Sequence, residues 1–257
     1  MPFEASRSQT CRRSDQRRVV FGGGRYAWFA DQMLPMESCR GTPSLDALRV
    51  AYGDLAALAV ALDEQGSWRP TGCTGWCVRD IVHHLLGDAQ RALVALATPA
   101  AGRADRASAT YWTDSPGAPD EDSRGIRATR TMASQWSLKY LTATYAETAS
   151  AVITLAERAA PNDLIATQGH VLTVDDLLAT LVVEATIHHL DITVDVDAPG
   201  PGRKPVEVTL STLTRLLGRA DTWSSYEWVR SATGRGEITS EQRRYLGDDV
   251  DRLPLLQ

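Results

Sequence analysis

One short stretch near the end of an apolar segment most constrains the fold. The segment begins at Val174, and the stretch reads Glu184-Ala-Thr-Ile-His188-His189-Leu-Asp191. At about 100° per residue in a helix, Glu184, His188 and Asp191 fall within roughly 60° of one another, on the same side as the leucines of the segment. Three polar groups therefore point into the core. Because a buried, unpaired carboxylate is costly, these groups need a partner, and a metal ion is one such partner.

The composition is that of an ordinary globular chain. With 257 residues, 43% of them hydrophobic and 23% charged, the chain can bury a sizeable core. A formal charge of -5 and a pI near 5.6 give no electrostatic reason to expect nucleic acid or an anionic membrane surface as a partner. We find no run of about 18 apolar residues and no signal peptide, so we expect a cytoplasmic protein. Its four cysteines form no CxxC pair, and we expect free thiols.

Four amphipathic segments predict the architecture. Their apolar residues recur at three- and four-residue spacings, which is the period of a helix. The four segments are Ser44 to a point before Gly66, Trp76 to about Ala97, about Ala128 to Ala159, and a segment that starts at the capping sequence Thr173-Val-Asp-Asp176. We see no strand-like alternation between them. The pattern predicts an all-α fold, an antiparallel bundle of four helices.

Two shorter regions flank the bundle, which we place at residues 43–197. Residues 1–42 carry arginine pairs and a glycine run without a sustained period, so we expect a disordered leader, with Met33 or Met36 as the true start. Residues 198–257 begin with a Pro/Gly linker and continue with a helix from Pro205 to Leu217 and a capped segment from Thr239. We expect this small helical extension to pack on the bundle and to wall one end of the site.

The long connection between the second and third segments carries two aromatic residues. Residues 98–128 are rich in Ala, Gly, Pro, Asp and Ser, and a connection of this length is usually a lid or a mobile loop. Tyr111 and Trp112 either fold over a pocket or pin the loop to the bundle. We favour the second interpretation.

The second helix supplies a candidate third ligand. His84 lies at the edge of its inward face, whereas His83 points roughly opposite. Together, His84, Glu184 and His188 form the kind of His/Glu set that zinc uses at catalytic sites, where one coordination position stays open. Asp191 is then a group that orients an imidazole, an acid/base group or an alternative ligand. Spacing alone leaves other interpretations open, namely a salt-bridged helix and a core histidine at position 84.

Two motifs resemble a known family. Gly75-Trp-Cys-Val-Arg-Asp-Ile-Val-His-His84-Leu resembles the GWTVRDLxxHL opening of the mycothiol-dependent maleylpyruvate isomerase N-terminal domain. Glu184-xxx-His188-xx-Asp191 resembles the second metal motif of that family. The match runs from about Ser44 to Val196 and implies a DinB-like four-helix bundle. It also implies that His84, Glu184 and His188 are the three metal ligands.

The resemblance further implies a mechanism. A divalent metal, with zinc as the first candidate, would bind the sulfur of mycothiol or a similar thiol, and the thiolate would attack a small electrophile. The reaction would be an isomerisation or an S-transfer, catalysed by a monomer or homodimer whose partners are the thiol and the electrophile. The alternatives are a non-catalytic metal-binding sensor or structural module, and a metal-free bundle in which Glu184 and His188 merely pair.

The chain departs from the family pattern at two places. Cys77 stands where the family usually has Thr or Ser to cap the second helix, so either the cap is weaker or the thiol has another use. The family's isomerases have a larger C-terminal domain that contributes an arginine to catalysis. The short C-terminal segment of this chain, which resembles that of many actinobacterial relatives, holds Arg230 and Arg235, and the sequence assigns neither to that role.

Overall fold

The computed structural model describes residues 41–113, 124–219 and 223–256. Nearly all of the predicted leader, residues 1–40, lies outside this described part. Within it the chain forms eight α-helices and one β-hairpin. In chain order they are α1 (Pro43–Ala61), α2 (Val78–Leu96), α3 (Arg124–Ser134), α4 (Leu138–Ala156), β1 (Leu164–Thr167), β2 (His170–Thr173), α5 (Val174–Ile192), α6 (Arg203–Leu217), α7 (Ser225–Ala232) and α8 (Ser240–Leu246).

Four long helices pack around one hydrophobic core, which confirms the predicted all-α class. Helix α1 contacts α4 and α5, and α2 also contacts both. Side-chain oxygens cap three of the four: Thr42 accepts a hydrogen bond from Leu45 N–H (3.2 Å) at α1, and Ser137 and Thr173 do the same at α4 and α5. Each such cap satisfies a backbone donor that a helix N-terminus otherwise leaves unpaired.

The predicted third helix is in fact two helices. We expected a single helix from Ala128 to Ala159, but α3 ends at Ser134 and α4 begins at Leu138. The chain breaks because Ser137 has extended backbone angles and its hydroxyl accepts the Tyr140 N–H at 3.3 Å. The apolar spacing continues across the break, which is why periodicity alone did not show it.

The expectation that no strands separate the helices is also wrong. Between α4 and α5, β1 and β2 pair as an antiparallel hairpin in which Thr167 faces His170. The turn residues Gln168 and Gly169 both have positive φ, 49° and 83°. Two such residues form the tight turn whose twist matches a hairpin, and glycine adopts this conformation without steric cost. The strands are only four residues long, too short for a clear alternating pattern.

Helix α5 belongs to two cores. It is buried at nearly every position. One side joins the core of the long helices, while Val183, Ile187 and Leu190 join a second cluster with residues of α6, α7 and α8. Trp228 is fully buried in that cluster. A helix that is apolar all round is buried all round, and here the C-terminal helices provide the additional cover.

None of the helices described above contains a stretch long and apolar enough to cross a membrane.

The break between α3 and α4 predicts whether a substitution at Ser137 lowers or raises the free energy of unfolding. Replacing the N-cap in Ser137→Ala is expected to lower the free energy of unfolding by about 1 kcal/mol, because the Tyr140 N–H loses its acceptor. Ser137→Asp retains an acceptor and is expected to stay near the parent value. In a continuous helix the alanine would stabilise instead, by a few tenths of a kcal/mol. Urea unfolding of the three proteins distinguishes the two cases.

Candidate metal centre

The structure brings His84, Glu184 and His188 together. Helix α2 contributes His84, and α5 contributes Glu184 and His188 one turn apart. Glu184 Oε2 lies 3.7 Å from His84 Nε2 and 3.4 Å from His188 Nε2. One ligand atom from each residue lies within 4.8 Å of the other two. His83 points away, with its ring 6.0 Å from that of Trp136.

These distances suit a single cation. An ion bound at about 2.0–2.2 Å holds two of its tetrahedral ligand atoms roughly 3.4 Å apart, close to the two separations from Glu184. Two imidazole nitrogens and one carboxylate oxygen are also a donor set that zinc uses with one position left open. The residues therefore fit a divalent metal, and their role as ligands stays a prediction.

The groups of the cluster shift one another's pKa values. Burial alone would raise the pKa of Glu184, but hydrogen bonds to His188 and His84 outweigh it and lower the pKa. Burial would lower the pKa of His188, yet its contacts with Asp191, Cys73 and Glu184 raise it well above its usual value. Burial dominates at His84 and lowers its pKa. The pair from α5 thus carries complementary charges, and a cation bound at His188 Nε2 would displace a proton.

Asp191 orients His188 and is itself held by Arg235. Its Oδ2 lies 3.2 Å from His188 Nδ1. Because this contact uses Nδ1, the other ring nitrogen of His188, Nε2, faces Glu184. Arg235 donates to both carboxylate oxygens, from Nε at 2.9 Å and from Nη2 at 3.0 Å. Asp191 is completely buried, and burial would raise its pKa, but His188 and Arg235 lower it. The C-terminal segment thus reaches the centre through Arg235, which the sequence could not assign.

A loop before α2 covers the imidazoles. The ring of Trp76 lies 5.1 Å from that of His84 and 6.0 Å from that of His188. Gly72 anchors this loop by donating its N–H to the carbonyl of Asp191 at 2.9 Å. A Cβ at position 72 would meet Asp191 Oδ1 at 2.7 Å, so the approach requires glycine. Trp76 therefore shields the candidate ligands from water on this side.

Asp88 is a site residue that the sequence analysis missed. It lies one turn after His84 on α2, and its Oδ2 is 3.3 Å from His84 Nε2. The other oxygen accepts a hydrogen bond from Arg91. Asp88 is buried, and within the described part of the chain Oδ2 has no hydrogen-bond partner. The spacing of four residues from His84 was the signal that could have identified it.

A second cluster lies on the other side of His188. The Cys73 thiol is within 4.8 Å of a His188 nitrogen and an Asp191 oxygen. This set is a poorer cation site than the first, because both oxygens of Asp191 already accept hydrogen bonds from the Arg235 guanidinium. A cation there would face a fixed positive charge.

Trp112 packs on the second hydrophobic cluster. Tyr111 packs on the core of the long helices and so pins the connection, as the favoured interpretation predicted. Its hydroxyl accepts a hydrogen bond from Gln168 Nε2 at 2.6 Å, so it ties the long connection to the hairpin turn. It also lines a cavity of about 30 Å³ together with Glu184 and Asp88. That volume is enough for a water molecule.

Cys77 acts as part of the cap of α2. Its N–H donates to Asp80 Oδ2 at 2.9 Å, and its sulfur lies 3.1 Å from the same oxygen. Burial, reinforced by Asp80, raises the pKa of the thiol to about 11. A thiol with this raised pKa is mostly protonated at neutral pH, which favours the capping role over a reactive thiolate.

The fold and the site define a helical bundle with a His/Glu/His cluster suited to one divalent cation. The family described as the mycothiol maleylpyruvate isomerase N-terminal domain matches residues 48–193, more than half of the chain. The protein belongs to this family.

Solved structures show the same fold. A crystal structure of a mycothiol-dependent maleylpyruvate isomerase is similar with a TM-score of 0.52 and 17% identity, covering 75% of this chain and 88% of the other. A histidine-to-alanine mutant of a mycothiol-dependent maleylpyruvate isomerase matches with the same values. No protein with a curated description matches this chain.

The contact between Arg235 and Asp191 predicts a large stability effect. Arg235→Ala is expected to lower the free energy of unfolding by about 3 kcal/mol, because it leaves a buried carboxylate with one partner fewer. Arg243→Ala, which changes an exposed arginine on α8, is the control and is expected to cost less than about 0.5 kcal/mol. Guanidinium unfolding measures both, and equal effects would contradict the role given to Arg235.

The pKa of Cys77 predicts slow alkylation. In a variant whose Cys11, Cys39 and Cys73 are serine, iodoacetamide at pH 8 is expected to modify Cys77 about a hundredfold more slowly than in the urea-unfolded chain, because the folded thiol is almost entirely protonated. The rate should keep rising between pH 9 and pH 10, where an ordinary thiol levels off. A rate that levels off near pH 9 would show an ordinary pKa.

Proposed function

We propose that the protein binds one divalent metal through His84, Glu184 and His188 and uses it together with a low-molecular-weight thiol, mycothiol, to act on a small electrophile. The observation that carries the proposal is the convergence of three ligand atoms from two helices within 4.8 Å, in a chain that belongs to this family. The reaction is an isomerisation or an S-transfer. Zinc is the first candidate because the donor set is two imidazoles and one carboxylate.

Each residue of the site has a defined task in this proposal. Glu184 supplies the negative charge that balances the cation, and His84 and His188 supply neutral nitrogens. Asp191 fixes the ring of His188 through Nδ1, and Arg235 fixes Asp191 in turn. Trp76 covers both rings and keeps water away from one side. Such a supporting layer keeps the ligands in position before the cation arrives.

The bound metal would lower the pKa of a coordinated thiol, so that thiolate exists at neutral pH. In this proposal such a thiolate would add to an electrophilic carbon of the substrate. In an isomerisation, addition to a conjugated double bond would leave an enolate, which after rotation would re-form the double bond and expel the thiolate. In an S-transfer by addition, the enolate would instead take up a proton from water and the adduct would be the product. Asp191, held by Arg235, is a further candidate for acid/base work.

One observation supports the alternative of a non-catalytic metal module. The concavity beside Glu184 measures only about 30 Å³, so this side of the centre offers no preformed pocket for a thiol with a sugar portion. In this alternative the cation links α2 to α5 and no turnover occurs. The two proposals agree on the metal and differ on whether a thiol reaches it.

The metal is tested first, on protein purified without a histidine tag. The parent is expected to hold about one equivalent of divalent metal by mass spectrometry of the digested protein, and His84→Ala and His188→Ala are expected to retain less than about a tenth of it, since each loses one of three ligands. His83→Ala, on the neighbouring position of α2, is the control and should keep the metal. Full metal content in the two ligand variants would overturn the proposal.

The thiol is tested on the cobalt-loaded protein. Addition of mycothiol is expected to produce a new sulfur-to-cobalt absorption band in the near ultraviolet, and an O- or N-containing analogue without the thiol should not. A spectrum that stays unchanged at saturating thiol, in a protein that binds the metal, would favour the non-catalytic module. Metal binding and thiol access are thereby separated.

A further inference from the structure

A second, larger concavity lies on the outer side of the loop that covers the imidazoles. This groove has a volume of about 700 Å³ and runs between that loop and α3. Trp68, Cys73 and Trp76 line it on the loop side, and Arg127 and Arg130 line it on the side of α3. Neither arginine belongs to the candidate metal centre, so a ligand bound by these arginines would occupy a different site.

The two arginines expose their side chains toward solvent. They lie one turn apart on α3. Among the described residues, neither guanidinium has an ion pair or a side-chain hydrogen bond. Two like charges at this spacing repel each other slightly, so the pair gains from a shared anion. Guanidinium groups are suited to bidentate contacts with carboxylate and phosphate.

The groove also offers an aromatic surface. Trp68 is 50% exposed, and the Arg79 guanidinium lies 4.1 Å from its ring centroid. Arg79 is fully buried and donates to Glu64 at 2.6 Å, so it holds the indole from one side. Trp68 also lines the groove, so its exposed aromatic surface is available to stack on a planar group.

The lining carries little opposing charge. Its one carboxylate among the described residues is Asp80, which is buried and accepts the Cys77 N–H. That oxygen is therefore turned toward the start of α2. Among the described residues that line the groove, Arg127 and Arg130 carry the positive charge.

We propose that this groove binds a small organic anion, with its planar part on Trp68 and its carboxylate or phosphate between Arg127 and Arg130. Its inner wall includes Cys73 and Trp76, which contact the candidate metal centre from outside. The anion would therefore lie beside that centre without contacting the three candidate metal ligands, none of which lines the groove. The inference goes beyond the proposed function and holds for metal-free protein.

The experiment is ¹⁹F NMR titration of the full chain, stripped of metal with a chelator. The probes are 4-fluorobenzoate, 4-fluorophenyl phosphate and the neutral 4-fluorobenzamide. At least one of the two anions is expected to bind about tenfold more tightly than the amide, and the comparison of the anions shows whether carboxylate or phosphate is preferred. Binding should weaken as salt is added.

Variants locate the site. Arg127→Ala combined with Arg130→Ala is expected to weaken anion binding about tenfold, because both charged contacts are lost. Arg124→Ala, which removes an exposed arginine of the same helix outside the groove, is the matched control and should change binding less than about twofold. Trp68→Leu should weaken both anions and the amide.

Three results would overturn the proposal. They are equal binding of the amide and the anions, an equal loss in Arg124→Ala, and no anion binding at millimolar concentration. Circular dichroism of each variant confirms that the helices are retained. Because the protein is free of metal, success or failure here is distinguishable from that of the proposed function.

Discussion

The site depends on the contacts that the partly buried carboxylate of Glu184 makes with two imidazoles. Glu184 stands on a helix that is buried almost all round, and a lone charge there would be strongly unfavourable. His188 from the same helix and His84 from α2 offset that cost. The packing of α2 against α5 therefore does more than bury apolar surface, because it also brings His84 and His188 to the same carboxylate oxygen of Glu184.

Asp191 joins three parts of the chain that are distant in sequence. Its side chain binds His188 within α5 and Arg235 from the C-terminal segment, and its carbonyl accepts the N–H of Gly72 from the loop before α2. The second hydrophobic cluster holds the C-terminal helices on α5 and so fixes the distance that Arg235 must span. The position of Arg235 relative to Asp191 therefore depends on the packing of that cluster.

The helical period of the sequence predicted which residues share a face of a helix. It could not predict contacts between residues that are far apart in the sequence. Helical phase alone brought Glu184, His188 and Asp191 to one face, and the edge position of His84 followed from the apolar residues around it. The break at Ser137 was missed because a hydroxyl interrupts the helix while the apolar spacing continues. Arg235 could not be assigned because no local pattern shows which carboxylate, 44 residues away, it will meet.

The two histidines are supported in similar ways with one difference. Each is backed by a carboxylate that an arginine holds: Asp191 with Arg235 behind His188, and Asp88 with Arg91 beside His84. Asp191 contacts Nδ1 and leaves the other nitrogen of His188 for a cation. Asp88 instead faces Nε2 of His84, the atom that also faces Glu184. A cation bound at this nitrogen must therefore displace or share the contact with Asp88, whereas His188 can keep its partner. For the proposed cation, the α5 side of the centre is preorganised, and any adjustment on binding would fall on the α2 side.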